Sequence, residues 1–156
     1  MTRAAIAALL LLSACKAAPD EPAGIGAWDV TRTQRKDATG HCDPTDLPDG
    51  RRGTWCYMQQ PLTIGGQPAQ VDLYFAGAEP TSPLIELQLK VAACDFDKIE
   101  TWGRTAFGAP TSHGGGRLFW KNRYMFVVVA PDESRCLVRL LPLSEQKELE
   151  RITKQP

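Results

Sequence analysis

Two stretches of this chain alternate apolar and polar residues one by one, and that pattern restricts the possible fold more than any other feature. In residues 69–75, Ala69, Val71, Leu73 and Phe75 are separated by Gln70, Asp72 and Tyr74. In residues 84–93, Ile85, Leu87, Leu89 and Val91 are opposed by Glu86, Gln88 and Lys90. Successive side chains of a strand point to opposite faces, so alternation means one buried face and one wet face. An antiparallel sheet with a single covered side satisfies that requirement. Other segments carry weaker strand signals. In residues 27–33, Trp28 and Val30 lie opposite Asp29 and Thr31. Residues 53–64 are rich in β formers, but Pro61 makes them an edge strand or two pieces. Gly65-Gly66 then predicts a hairpin turn. Residues 117–120, 124–130 and 135–141 read as a three-stranded meander, turned at Asn122 and at 131–134. Its middle strand is apolar almost throughout, as a strand buried on both faces would be.

One segment has a different period. From 95 to 107 the apolar residues Phe96, Ile99, Trp102, Ala106 and Phe107 fall at steps of three and four, a helical stripe. Asp95 suits its N-cap and Gly108 its left-handed stop. A shorter helix is expected at 145–153, capped by Ser144. Its apolar face is only Leu149 and Ile152, which predicts fraying or weak packing. The expected fold class is therefore α+β: an antiparallel sheet of about six or seven strands, one central helix packed on one face, and a short C-terminal helix.

The start of the chain is of another kind. Arg3 precedes an apolar run, residues 4–12, that falls far short of the ~20 residues needed to cross a bilayer. A charged start, a short apolar stretch and small residues describe a secretory signal peptide. The run ends in Leu12-Ser13-Ala14-Cys15, a branched apolar residue, two small ones and a cysteine.

Those four residues resemble the lipobox of bacterial lipoproteins. The resemblance implies cleavage after Ala14 and diacylglyceryl transfer to the Cys15 thiol, so residues 1–14 are the signal peptide and Cys15 opens the mature chain. It implies a palmitate-type anchor in the membrane, and two or more acyl chains give stable attachment. In Gram-negative members of the class, aspartate after the cysteine favours inner-membrane retention. Lys16 stands there instead, which implies the outer membrane, facing the periplasm. Residues 15–25, polar with two prolines beyond Cys15, read as the lipidated cysteine and a flexible tether, leaving residues 26–156 as a single globular domain.

With Cys15 assigned to lipid, Cys42, Cys56, Cys94 and Cys136 remain, and an even count in an exported chain suggests two disulfides. Of three possible pairings, local loop geometry favours the sequential one, Cys42–Cys56 and Cys94–Cys136. No Cys-x-x-Cys and no histidine at a zinc spacing points to a metal. The full chain has a formal charge of 0, so it carries no basic footprint for nucleic acid.

Candidate chemistry is sparse. His41, Asp43, Asp46 and Asp49 could offer oxygen to calcium, but the carboxylates fall three apart, and Pro48-Asp49-Gly50 reads more simply as a turn. His113 and the glycines after it precede a strand, not the helix N-terminus a phosphate loop requires. Ser112 beside His113 is no triad, and no Gly-x-Ser-x-Gly occurs. No catalytic residue, cofactor or metal is nominated. Trp120, Arg123, Tyr124 and Tyr74 are the candidate interface, because aromatic and arginine side chains are enriched in binding hot spots. The expected function is a non-catalytic, lipid-anchored envelope protein. It would bind an envelope protein partner or inhibit an incoming enzyme. The alternatives are an envelope hydrolase with an unrecognised acid pair or metal, and a carrier of a small apolar ligand beneath the central helix.

Overall fold

A computed structural model describes residues 21–114 and 116–154. Cys15, the lipobox and the rest of the predicted signal peptide lie outside the described residues. The elements, in order, are β1 (Gly24–Ile25), β2 (Trp28–Asp29), β3 (His41–Asp46), β4 (Arg52–Tyr57), β5 (Leu62–Ile64), β6 (Gln67–Phe75), β7 (Leu84–Val91), α1 (Phe96–Phe107), β8 (Ser112–Gly114), β9 (Arg117–Lys121), β10 (Met125–Asp132), β11 (Arg135–Pro142) and α2 (Gln146–Lys154). Single 3₁₀ turns occupy Arg35–Asp37 and Leu143–Glu145.

The antiparallel α+β architecture is as expected, but among the described residues the sheet is wider than six or seven strands. Eight strands lie side by side in the order β3-β4-β6-β7-β11-β10-β9-β8, β5 adds to the free stretch of β6, and β1 pairs only with β2. The excess comes from short edge strands. β3 carries Pro44 and the carboxylates Asp43 and Asp46, which read as turn chemistry, yet it pairs residue for residue with β4. Pro61 splits the predicted 53–64 strand into β4 and β5, and Gly65-Gly66, at φ +55° and +72°, turns β5 into β6. Both positive φ values belong to the tight hairpin turn that matches strand twist.

The face of the sheet beneath α1 is apolar. Leu73, Leu87, Leu89, Val127, Val129, Val138 and Leu140 project there and are almost wholly buried with Ile99 of α1. The Asp95 side chain accepts the Lys98 N–H at 3.3 Å, and the helix stops at Gly108, φ +83°. Gly103 has a specific reason to lack a side chain: a Cβ there would sit 2.8 Å from the Trp120 ring.

Residues 27–33 differ from expectation. Only Trp28–Asp29 is extended. The Asp29 carboxylate accepts from the Thr31 N–H at 2.8 Å, and the Thr33 hydroxyl accepts from the Asp29 N–H at 3.0 Å. These local side-chain bonds bend the chain, as aspartate and threonine commonly do. Trp28 and Val30 still enter the core and close one end of it. Of the predicted tether, residues 15–20 lie outside the described residues, and residues 21–23 are bonded to the domain. Asn122 Nδ2 donates to the Pro22 carbonyl at 2.8 Å, the Arg123 N–H donates to the Glu21 carboxylate at 2.8 Å, and the Val30 N–H donates to the Ala23 carbonyl at 2.9 Å. Glu21 and Pro22 thus lie against the β9–β10 turn, and Gly24–Ile25 pairs with Trp28–Asp29.

α2 covers part of the other face. Ile152 is buried with Val128 and Leu141, and Leu149 and Phe119 pack around them. β10 is consequently buried on both sides, as its composition predicted, and α2 packs through the two apolar residues expected of it, of which Ile152 is buried. The sulfurs of Cys42 and Cys56 are bonded, directly across β3 and β4, with Cα atoms 4.0 Å apart. Those of Cys94 and Cys136 are bonded too, with Cα atoms 5.5 Å apart. The second bond ties the start of α1 to β11.

A polar, aromatic face as candidate functional site

α2 leaves half of its face uncovered, over β3, β4, β6 and β7. Alternation in those strands sends Trp55, Tyr57, Asp72, Tyr74, Glu86, Gln88 and Lys90 to this side. A register shift between Tyr74 and Phe75 lets Leu84 pair with Phe75 while Glu86 pairs with Tyr74. Leu84 therefore joins the core, and Ile85, read from the sequence as a core residue, lines this face instead.

The rings form a row. His41 and Tyr57 have centroids 6.0 Å apart, Tyr57 and Trp55 4.4 Å, and Trp55 and Tyr74 6.5 Å with ring planes only 14° apart. Carboxylates fix them. Trp55 Nε1 donates to Asp72 at 3.1 Å, and the Tyr57 hydroxyl donates to Asp43 at 2.9 Å. Asp72 is fully buried and also pairs with Lys90, whose ammonium lies 5.9 Å from the Trp55 ring centroid, a cation–π distance. The bond to Asp43 raises the Tyr57 pKa. Burial, with the nearby Glu86 and Asp72 charges, pushes that of Tyr74 up to about 12. Met58, which follows β4, is 67% exposed and has φ +56°.

Beside Tyr74 the face deepens into a groove of about 360 Å³, bounded by α2 and the β3–β4 turn. Its floor is an ion-pair network. Arg139, almost buried, donates twice to Glu86, one bond measuring 2.8 Å, and once to Glu148 at 2.9 Å. Arg151 pairs with Glu148 as well, and Arg51 joins Asp49 to Glu145 at 2.7 Å. Burial acts to raise the Glu148 pKa, but its bonds to Arg151 and Arg139 outweigh that and leave it below the ordinary value. A general acid for glycosidic chemistry needs the opposite shift. The groove thus presents fixed, neutralised charge.

The four candidate interface residues do not share a patch. Trp120 is corrected outright: it is 4% exposed, its ring lies against Gly103, and Nε1 donates to the Gly108 carbonyl at 2.8 Å. It fills the space beneath α1 where an apolar ligand was considered. Arg123 and Tyr124 sit together at the β9–β10 turn, the guanidinium 4.8 Å from the ring centroid. Tyr74 alone belongs to the aromatic row. His41, Asp43 and Asp46 lie on β3 and Asp49 in the turn beyond it, which separates the proposed calcium ligands. Asp46 pairs with Arg52 and Asp49 with Arg51. Among the described residues no group of three or more His, Cys, Asp or Glu could hold a metal. Sequence reasoning missed Arg139, Glu86 and Glu148. An arginine inside the otherwise apolar run 136–141 was the available signal, since a buried charge requires partners.

No protein-family model matches the chain, and no curated protein or solved structure matches it either.

Proposed function

We propose that this chain is a lipid-anchored cell-envelope protein, held by acyl chains on Cys15 in the outer membrane and facing the periplasm. It binds a macromolecular partner, an envelope component or an incoming enzyme that it blocks, on the open half of the second face. The single observation that carries this reading is the row Tyr57–Trp55–Tyr74, held by buried and ring-directed carboxylates beside a groove of neutralised charge. Rigid aromatic side chains offer large contact area at small entropic cost. Two disulfides fit a chain that folds outside the reducing cytosol.

A photo-crosslinking residue placed at Gln88, in the groove, tests it. A discrete crosslinked product is expected from anchored protein in cells. It should be lost in the Trp55→Ala background and missing when the crosslinker replaces Lys98 on α1. Equal products from both positions, or none, reject the proposed binding face. Labelling with a fatty-acid probe that tags the wild type and not Cys15→Ser tests the anchor.

A further inference from the structure

The docking of Glu21 and Pro22 has a geometric consequence for a chain anchored at Cys15. From Cys15 to Glu21 there are six Cα–Cα steps, and a chain spans at most about 3.6 Å per residue, so the anchor reaches at most about 22 Å from Glu21 whatever its conformation. Glu21 and Pro22 are fixed to the turn between β9 and β10 by the two bonds from Arg123 and Asn122. Asn122 is itself locked there, its side-chain oxygen accepting from the Tyr124 and Met125 N–H groups at 2.9 and 3.0 Å. β10 runs away from this turn for eight residues, about 24 Å at ~3.4 Å per residue. The far end of the sheet holds the Glu133–Ser134 turn, the Cys94 junction and the first turn of α1. To bring that end to the lipid, the anchor would have to run the whole length of β10 fully extended, whereas a flexible segment of six residues spans only about 13 Å.

The side chains of the turn itself agree. Lys121 and Arg123 are exposed, and Tyr124 is half-buried under the Arg123 guanidinium. Cations near anionic headgroups and aromatic rings at the interface are the side chains that this depth favours.

We infer that the β9–β10 turn is the membrane-facing end of the domain and rests on phospholipid headgroups. The opposite end, at Gly65, Lys98 and Glu133, then projects into the periplasm. This rests on the lipid anchor proposed above. The aromatic row crosses β3, β4 and β6, its His41–Tyr57 pair lying toward that projecting end, and is open sideways to a partner.

The test uses the full acylated protein in vesicles of phosphatidylethanolamine and phosphatidylglycerol, with its acyl-free Cys15→Ser form as reference. A water-soluble amine reagent and mass spectrometry read each lysine. With the acyl mass present, Lys121 labelling should slow several-fold on anchoring while Lys98 labelling is unchanged. A long glycine-serine spacer inserted between Asp20 and Glu21 should keep the acyl groups and return Lys121 to the acyl-free rate. Equal slowing at both lysines, slowing at Lys98 alone, no change at Lys121, or a spacer without effect overturns the orientation while leaving the anchor intact. A protein without acyl mass removes the anchor itself, and the orientation falls with it.

Discussion

The face under α1 is closed by shape: branched aliphatic side chains fill it, Gly103 admits the Trp120 ring, and a disulfide ties the lid down at Cys94–Cys136. The opposite face is closed by charge over one half and left open over the other. Arg139 reaches from β11 to Glu86 and Glu148 and so fastens α2 where the apolar contact is only a few residues wide. Apolar packing tolerates no exposed alternative, whereas a paired charge with a wet rim can stand at the border between protein and solvent. A surface meant to meet a partner belongs on the second kind of face.

If that division is right, perturbing the closed face should cost the most. Cys94→Ser/Cys136→Ser opens a loop of 42 residues, and loop-closure entropy alone predicts a loss of about 4 kcal/mol. Urea denaturation should read this as a lowered midpoint for the whole domain. A partial transition confined to α1 would mean that the lid is independent of the sheet.

On the second face, Glu86→Gln leaves Arg139 with one carboxylate instead of two. A buried charge stripped of a partner is expensive, but Glu148 remains, so about 2 kcal/mol is expected. Hydrogen exchange should accelerate in α2 before it does in α1. Equal acceleration would show that the network supports the entire fold and not the border of one face.

A similar or smaller effect belongs to the half-buried row. Trp55→Ala removes the contacts with Tyr57 and Tyr74 and the Nε1 bond to buried Asp72, at a cost of about 2 kcal/mol, two aromatic pairs at about 1 kcal/mol each. The loss of crosslinking at Gln88 should be far larger than this stability change implies. Parallel losses would make Trp55 a structural residue.

Acid sharpens the comparison most finely. The folded Glu148 pKa lies below the ordinary glutamate value of 4.5. Its stabilising contribution is therefore present above that value and lost as pH falls through the folded pKa. Thermal midpoints should decline below pH 4.5 in the wild type and decline less steeply in Glu148→Gln, which cannot titrate. Identical slopes would assign acid sensitivity to other carboxylates.

Much of this architecture was legible because two periods are hard to mistake. Val71, Leu73, Leu87 and Leu89 announced their face by alternation, and Ile99 and Phe96 announced α1 by helical spacing. What escaped was whatever depended on a partner distant in sequence. Ile85 follows the alternation perfectly and is carried, still buried, to the opposite face by a register shift that no local pattern encodes. Arg139 and Glu86 lie 53 residues apart, so neither explains the other in one dimension. α2 looked sparse because Arg139, which bonds its Glu148, is a partner the helix's own pattern does not show. β3 looked like loop because its strand identity is supplied by β4 and the Cys42–Cys56 bond. Of the interface candidates, aromaticity could nominate Trp120 and Tyr74 equally, and only tertiary position separates a core ring from a surface one.

β3 also governs how this molecule behaves beside its own copies. A bare outer strand is an invitation to a neighbour's backbone, and side-by-side growth of that kind ends in aggregates. Here the outermost strand has a proline at position 44, which lacks one of the needed donors, acidic side chains at 43 and 46, and a sulfur bolt that keeps it from peeling away to re-pair. Each of these features blunts the β3 margin against pairing with another copy's backbone.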